Sequence, residues 1–277
     1  MTARLVPDLP DVDYHASPAL SSSGARAILR SPARFAYERE HGRPDTKAFD
    51  EGHAAHALVL GVGAPLFTPC DETGEPYTEW RSADAKRQVT EARAAGCTPL
   101  KADQVAMVTA MAARLREHPV AAALLATPGH PEVSGFWTDE RTGVACRVRY
   151  DWLRRTPDGW VAVDYKSTDD ASPEAFARSA AKYGYHQQDP WYRDAAPLLG
   201  LGDLPFVFVA QEKKPPYLVA CYELDDAAVA AGRRRNRAAL ELFAECTATG
   251  VWPGYDPGIT TLRLPAWAVR DYTGEDY

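Results

Sequence analysis

Asp151, Asp164 and Lys166 are residues whose types and spacing can do chemistry together. They lie in the stretch Val144 to Lys166. There two β-prone apolar runs, Val144–Leu153 and Trp160–Lys166, flank a turn-forming Thr156-Pro157-Asp158-Gly159. Side chains alternate along a strand, so Arg147, Arg149 and Asp151 are expected on one face of the first strand. Asp164 and Lys166 then share one face of the second. A carboxylate inside a buried strand is unfavourable unless something pairs with it. Two such acids on neighbouring strands can hold Mg2+ or Mn2+, which prefer oxygen ligands. A metal of that kind polarises a phosphoryl oxygen and acidifies a bound water. Lys166 would position or deprotonate the nucleophile, or offset developing charge. A salt-bridged surface hairpin is the plain alternative for the same three residues.

The elements around this pair fall into a helical first part and a sheet-forming second part. Residues 1–20 look irregular and extended. Ser23 is expected to cap a helix Gly24–Arg30, and Ser31-Pro32 to open another that runs to Glu40. Thr46–Leu60 has helical spacing of Phe49, His53, His56 and Leu60, which turns His56 inward. Glu79–Ala95, Lys101–Glu117 and Val120–Leu125 are further helices. Glu132 to Trp137 is strand-like and places Glu132 beside the Asp151 strand. After Lys166, a helix opened by Ser172-Pro173 ends at Gly184, and another starts near His186. In the latter, Gln188 and Tyr192 stand one turn apart. Pro190 lies between them, and proline suits only a first turn, which leaves the reach of Gln188 open. Pro205–Gln211 and Tyr217–Leu224 are β-rich, and Asp225–Thr249 is a long helix. The order predicts an α/β (α+β) fold, a central mixed sheet flanked by helices. One domain is expected over 1–277. Residues 1–130 form its mainly helical part carrying His56, 131–255 the sheet core and C-terminal helix, and 256–277 an irregular tail.

Composition excludes several classes. The chain is 45% hydrophobic and 25% charged, ordinary for a globular protein. No apolar run approaches the ~20 residues of a membrane helix, and the start has no signal-peptide pattern, so a cytoplasmic protein is expected. Five scattered cysteines without CxxC spacing point to reduced thiols, not to a disulfide frame or zinc site. A net charge of −7 argues against a nucleic-acid coat over the whole surface, while leaving room for a local basic groove. No glycine-rich phosphate loop supports a nucleotide-binding protein.

Several words, in order, carry a resemblance. They are Tyr14-His15, Ser21-Ser22-Ser23 and Ser31-Pro32, then Glu51-Gly52-His53-Ala54-Ala55-His56. Glu132 with Phe136-Trp137, Cys146-Arg147-Val148-Arg149-Tyr150-Asp151-Trp152-Leu153 and Val163-Asp164-Tyr165-Lys166-Ser167-Thr168 follow. Gln188 with Tyr192, and Pro216-Tyr217, complete the series. Together they resemble the PD-(D/E)XK nuclease superfamily, with its restriction-endonuclease-like core, and the phage exonuclease VIII (RecE-like) branch within it. The resemblance implies that Asp151 and Asp164 are metal ligands, with the Tyr165 backbone carbonyl and His56 joining them, and that Lys166 is the catalytic lysine. It gives Glu132 a supporting catalytic role and brings Gln188 and Tyr192 to the DNA backbone. Arg147 and Arg149 are candidates for holding a 5′ phosphate or pairing the acids, and Lys213 and Lys214 for lining a DNA entrance. Arg233–Arg237 reads foremost as a solvated helix face. The implied activity is Mg2+-dependent (or Mn2+-dependent) 5′-to-3′ digestion of linear duplex DNA, leaving 3′ tails for a RecT-like annealing protein in phage-type recombination. A ring-shaped trimer or tetramer is implied too. An endonuclease or single-strand nuclease of repair or phage defence, and a non-catalytic DNA-binding or assembly protein, stay open as alternatives. The cysteine arrangement that holds an iron–sulfur cluster in some relatives is missing, so no such cluster is expected.

Overall fold

The computed structural model describes residues 3–42, 56–61, 64–126 and 128–264. Among these described residues, eight strands are formed by β1 Arg4–Val6, β2 Leu66–Phe67, β3 Thr98–Pro99, β4 Gly129–Thr138, β5 Ala145–Thr156, β6 Gly159–Thr168, β7 Phe206–Glu212 and β8 Val219–Tyr222. The helices are α1 Asp11–Ala16, α2 Ser22–Arg30, α3 Pro32–His41, α4 Ala83–Ala94, α5 Ala102–Glu117, α6 Pro119–Leu124, α7 Pro173–Tyr183, α8 Tyr185–Leu198 and α9 Asp226–Thr249. Residues 56–60 are helical as well.

A six-stranded sheet in the order β1-β4-β5-β6-β7-β8 forms the centre, and β2 and β3 make a separate parallel pair. Within the large sheet β6 and β7 run parallel, and the other neighbours are antiparallel. A parallel step needs a crossover, which α7 and α8 supply. The sheet separates two apolar cores. Val133, Val148, Tyr150, Leu153, Phe206 and Phe208 pack with residues of α2, α8 and α9 on one side. Trp152, Val163, Tyr165 and Val209 pack with Leu60 and with Val108, Met111 and Leu115 of α5 on the other. The apolar stripe of α5 is thus the seal over one face.

Local patterning misplaced some boundaries. Residues 1–20 are not wholly irregular: β1 adds to the edge of β4, with Leu5 opposite Gly135, and α1 follows. A three-residue strand owes its existence to the neighbouring edge, which no local pattern reveals. Ser21, not Ser23, caps α2 by accepting from the Gly24 N–H at 3.1 Å. Ser82 caps α4, so that helix begins after Glu79. The expected helix from Thr46 falls mostly outside the described residues, with Phe49, Gly52 and His53. So do Arg43-Pro44 and the tail from residue 265. No helix among the described residues is long and apolar enough to cross a membrane.

Pro190 lies in the second turn of α8, beyond the first turn that sequence reasoning allowed it. Proline there takes away the donor that would meet the His186 carbonyl. At that carbonyl α9 comes very close: a Cβ on Gly232 would stand 1.5 Å from His186 O and 2.8 Å from Pro190 Cγ. Glycine at 232 is what lets the two helices meet around the proline.

Candidate active site

Strands β5 and β6 pair from Thr156–Gly159 as far as Trp152–Val163 and then part. Asp151 and Asp164 are the next residue on each branch of this fork. With no β5 partner at hand, the Tyr165 N–H donates to Asp151 Oδ2 at 3.2 Å. The opposite edge of β5 is disturbed at the same level. Glu132 of β4 has φ +51°, a left-handed conformation uncommon outside glycine, and regular pairing skips from Pro131–Trp152 to Val133–Tyr150. The alternation of β5 slips there too: Val148, Tyr150 and Leu153 enter one core, and Trp152 enters the other. Backbone strain of this kind gathers at functional sites.

The side chains meet at the fork. His56 Nε2 is 3.1 Å from Asp151 Oδ2, and its Nδ1 is 3.3 Å from Glu132 Oε1. Lys166 forms an ion pair with Asp164 through Nζ and Oδ2. Gln188 donates to Asp164 Oδ1 at 2.5 Å, so Pro190 does not keep it from the site. Tyr192 packs edge-on against Tyr150, with centroids 5.3 Å apart. The side chain of Tyr165 points into the other core, where its hydroxyl donates to Gln211 Oε1 at 2.8 Å, leaving its backbone at the fork. A cleft of about 830 Å3 opens over these groups, lined also by Ser21, Ser22, Ser23, Arg26 and Arg149.

The proposed DNA contacts divide. Arg149 lines the cleft, and it is anchored to Ser134 Oγ at 3.0 Å, Asp11 Oδ1 at 3.0 Å and the Leu9 carbonyl at 2.8 Å. Arg147 does not line the cleft and does not join Asp151, as the shared strand face suggested. It donates to the carbonyls of Tyr14 and Ser17 and so ties down the N-terminal segment. Lys213 and Lys214 lie in the β7–β8 loop outside the cleft lining. The arginines of α9 form a largely exposed face, as expected, and three of them also reach partners: Arg233 pairs with Asp194, Arg235 with Gln187 Oε1 and Arg237 with Asp139. Sequence reasoning passed over Arg26 and Tyr185. Arg26 enters through α2, and Tyr185 holds the Lys166 ammonium 5.3 Å from its ring centroid. A lone arginine and tyrosine on helices carry no signal of that kind.

Residues 21–264 match a family described as a PDDEXK-like domain of unknown function, DUF3799. The chain belongs to that family. Among solved structures, a protein from Eubacterium rectale titled "Putative exonuclease" aligns with a TM-score of 0.62 at 13% identity. The alignment covers 98% of this chain and 100% of that one. It is a likeness of fold. SSO0001 aligns at 10% identity over 78% of this chain and 84% of its own, with a TM-score of 0.26. Protein VC1899 from Vibrio cholerae aligns at 9% identity over 90% and 58%, with a TM-score of 0.24. Neither of those two carries an argument. No curated protein matches the chain.

Electrostatics sorts the acids of this PDDEXK-like domain. Burial, then the charge of Asp151, pushes Asp164 up to about 6 in spite of Lys166. Burial would also raise Asp151, but the charge and hydrogen bond of His56, with Lys166, hold it below the usual carboxylate range. Two close acids thus separate into one that ionises readily and one that resists. Glu132 is pushed up to about 6 by burial and by Asp151. Burial opposes charge on His56 and on Lys166, yet the neighbouring carboxylates raise both. Lys166 is therefore held as an ammonium ion.

Carboxylates and an imidazole suit a hard or borderline divalent cation. Among the described residues no three His, Cys, Asp or Glu side chains stand as a ready cage. His56 instead sits between Glu132 and Asp151, and Lys166 lies on Asp164, so protein cations balance the acids. The donor types fit a divalent ion, and these pairings must loosen to admit one.

Proposed function

We propose that this domain is a metal-dependent deoxyribonuclease that hydrolyses phosphodiester bonds. The observation that carries the reading is the fork itself. Asp151, Lys166, His56 and Gln188 come from two strands and two helical segments and converge at the floor of one open cleft, with Asp164 buried directly behind Lys166 and Gln188. Asp151, Asp164, His56 and the Tyr165 carbonyl would hold Mg2+ or Mn2+, with Glu132 beside them. Such an ion, when bound, polarises a phosphoryl oxygen and acidifies water. Lys166, kept protonated by its acids, offsets the charge that grows on the phosphate and is a poor base while Asp164 is ionised. Gln188 fixes the Asp164 carboxylate, and Arg149 offers a guanidinium at the cleft wall.

The finer reading is a RecE-like exonuclease that degrades one strand of linear duplex DNA from the 5′ end, as a ring of subunits, and exposes a 3′ tail for a RecT-like protein. The word pattern around the fork supports it. Linear duplex labelled at either end, incubated with Mg2+ or with EDTA, tests it with wild type and Lys166→Ala side by side. Metal-dependent loss of the 5′ label by wild type alone is the expected result. Digestion at the normal rate by Lys166→Ala sinks the mechanism. Cleavage of circular duplex or single strands in preference to linear ends would turn the reading to an endonuclease or single-strand nuclease.

A further inference from the structure

We propose that Tyr183, at the α7–α8 corner, is a stacking platform for an unpaired nucleobase next to the phosphate held at Lys166. The site then takes a strand end freed from its complement. The inference rests on the nuclease reading and adds to it the form in which the substrate is taken.

The argument follows a row of rings. Phe208 is fully buried in β7. Tyr185 stacks on it with centroids 5.5 Å apart and planes at 26°. Tyr183 stacks on Tyr185 at 6.0 Å and 30°. The middle ring carries the Lys166 ammonium 5.3 Å from its centroid, and the outer ring is 53% exposed. An exposed tyrosine alone means little. This one continues a rigid aromatic row that starts in the core and passes the catalytic lysine. Each ring is held by the one beneath it, so little side-chain freedom is lost when a base covers the last.

Cations flank the platform. Lys182 Nζ lies over the Tyr183 ring, 5.1 Å from its centroid, and its flexible stem lets it swing aside to a phosphate when a base takes the ring face. Arg26, which lines the cleft, donates to the Gly184 carbonyl at 3.3 Å and to Ser22 Oγ at 3.2 Å. Gly184 has φ +72°, and a Cβ there would stand 2.4 Å from Arg26 Cδ, so glycine fixes the corner against the arginine. Alternating aromatic faces and cations are how proteins hold single strands. A base inside a duplex has both faces covered by its neighbours and offers Tyr183 nothing. An unpaired base has a face to give.

The test uses the full chain with Ca2+ in place of Mg2+ to hold turnover back. Single-stranded oligonucleotides carry 2-aminopurine, or an abasic sugar, at the terminal position. A duplex with a mismatched end and one with a fully paired blunt end are measured beside them. Wild type and Tyr183→Phe are expected to quench the unpaired 2-aminopurine, and Tyr183→Ala to lose the quenching. Tyr183→Ala should bind the unpaired end about 10-fold more weakly, while the abasic end shows no difference between the proteins. The mismatched duplex should follow the single strand if frayed duplex is the source of the end. Unchanged binding by Tyr183→Ala, an equal loss on the abasic end, or equal reliance on Tyr183 at a blunt paired end would overturn the platform. Mg2+-dependent cleavage by wild type is read separately. If it is absent while quenching depends on Tyr183, the nuclease reading fails and the platform stands.

Discussion

Two buried acid–cation pairs in this molecule look alike and differ in what surrounds them. Asp164 is 1% exposed and pairs with Lys166; Asp189 is fully buried and pairs with Arg193 Nε at 2.6 Å, one turn along α8. Burial is the largest influence on both carboxyls, and both are pushed up to about 6. Gln188 and Asp189 are consecutive, so one helix serves both pairs from different sides. The difference lies in the next neighbours. Asp164 has a second acid, Asp151, as the next influence after burial, a glutamine on its other oxygen, and neighbours, Asp151, Lys166 and Gln188, that line the cleft. Asp189 has arginines, Arg193 and then Arg233, ahead of its own second acid, Glu223, and neither it nor Arg193 lines that cleft. A perturbed carboxyl marks a place worth testing. A second acid that outweighs the partnering cation, and neighbours that line an opening, are what turn it into a place for chemistry.

The largest expected effects set these pairs against each other. Asp164→Ala and Lys166→Ala should each slow cleavage of end-labelled linear duplex by roughly 10²–10³-fold or more, with the fold kept by circular dichroism. Calorimetry should find divalent-metal binding lost in Asp164→Ala and retained in Lys166→Ala. Asp189→Ala should behave in the opposite way. It leaves the half-buried Arg193 guanidinium without its partner and should lower stability by about 1–3 kcal/mol in a urea titration. Cleavage per folded molecule should stay near wild type. An Asp189→Ala protein of normal stability that no longer cuts DNA would break the comparison.

A smaller change is expected at His56, the bridge between Asp151 and Glu132. His56→Ala should weaken divalent-metal affinity by about 10-fold or more, read as a shift in the Mg2+ dependence of cleavage. An unshifted dependence would make His56 a packing residue of the second core.

Much of this was legible because the signals were local. The alternation of β5 and β6, the turn between them and the stripe of α5 are periodic patterns, and the order of elements followed from them. Asp164 and Lys166 share a face because they are two residues apart. Sequence could not show that β5 and β6 part just beyond Trp152–Val163, which decides that Asp151 faces a cleft. Nor could it show that the N-terminal segment crosses β5 at Arg147, which takes that side chain to the Tyr14 and Ser17 carbonyls and away from the acids. The Pro190 argument placed the start of α8 within one residue but left the reach of Gln188 open, because the compensation for a second-turn proline, Gly232, lies on another helix. Arg233 to Arg237 do form a largely exposed face, and only their ties to Asp194 and Asp139, distant in sequence, were out of reach. What was missed is tertiary in each case.

Acidity offers the finest division between the two pairs. An acid whose folded pKa is raised holds its proton longer in the folded state. Between the usual 3.8 and about 6 the folded chain therefore carries more protons than the unfolded one. Stability falls as pH rises through that window, and both Asp164 and Asp189 contribute to the fall. Asp151, held below the usual range, acts in the opposite sense and at lower pH. A divalent cation that binds ionised Asp164 competes with its proton, so Mg2+ or Mn2+ should remove the Asp164 share and leave the Asp189 share. Melting temperatures at about pH 4.5 and about pH 6.5, with EDTA and with Mg2+, read the two shares in Asp164→Asn and Asp189→Asn. Asp189→Asn should keep a metal-sensitive slope, and Asp164→Asn should keep a slope that metal does not change. If Mg2+ flattens the slope of Asp164→Asn as much as that of wild type, the ion displaces its proton from another acid, Glu132 being the other fork carboxyl pushed up to about 6, and Asp164 is not its ligand.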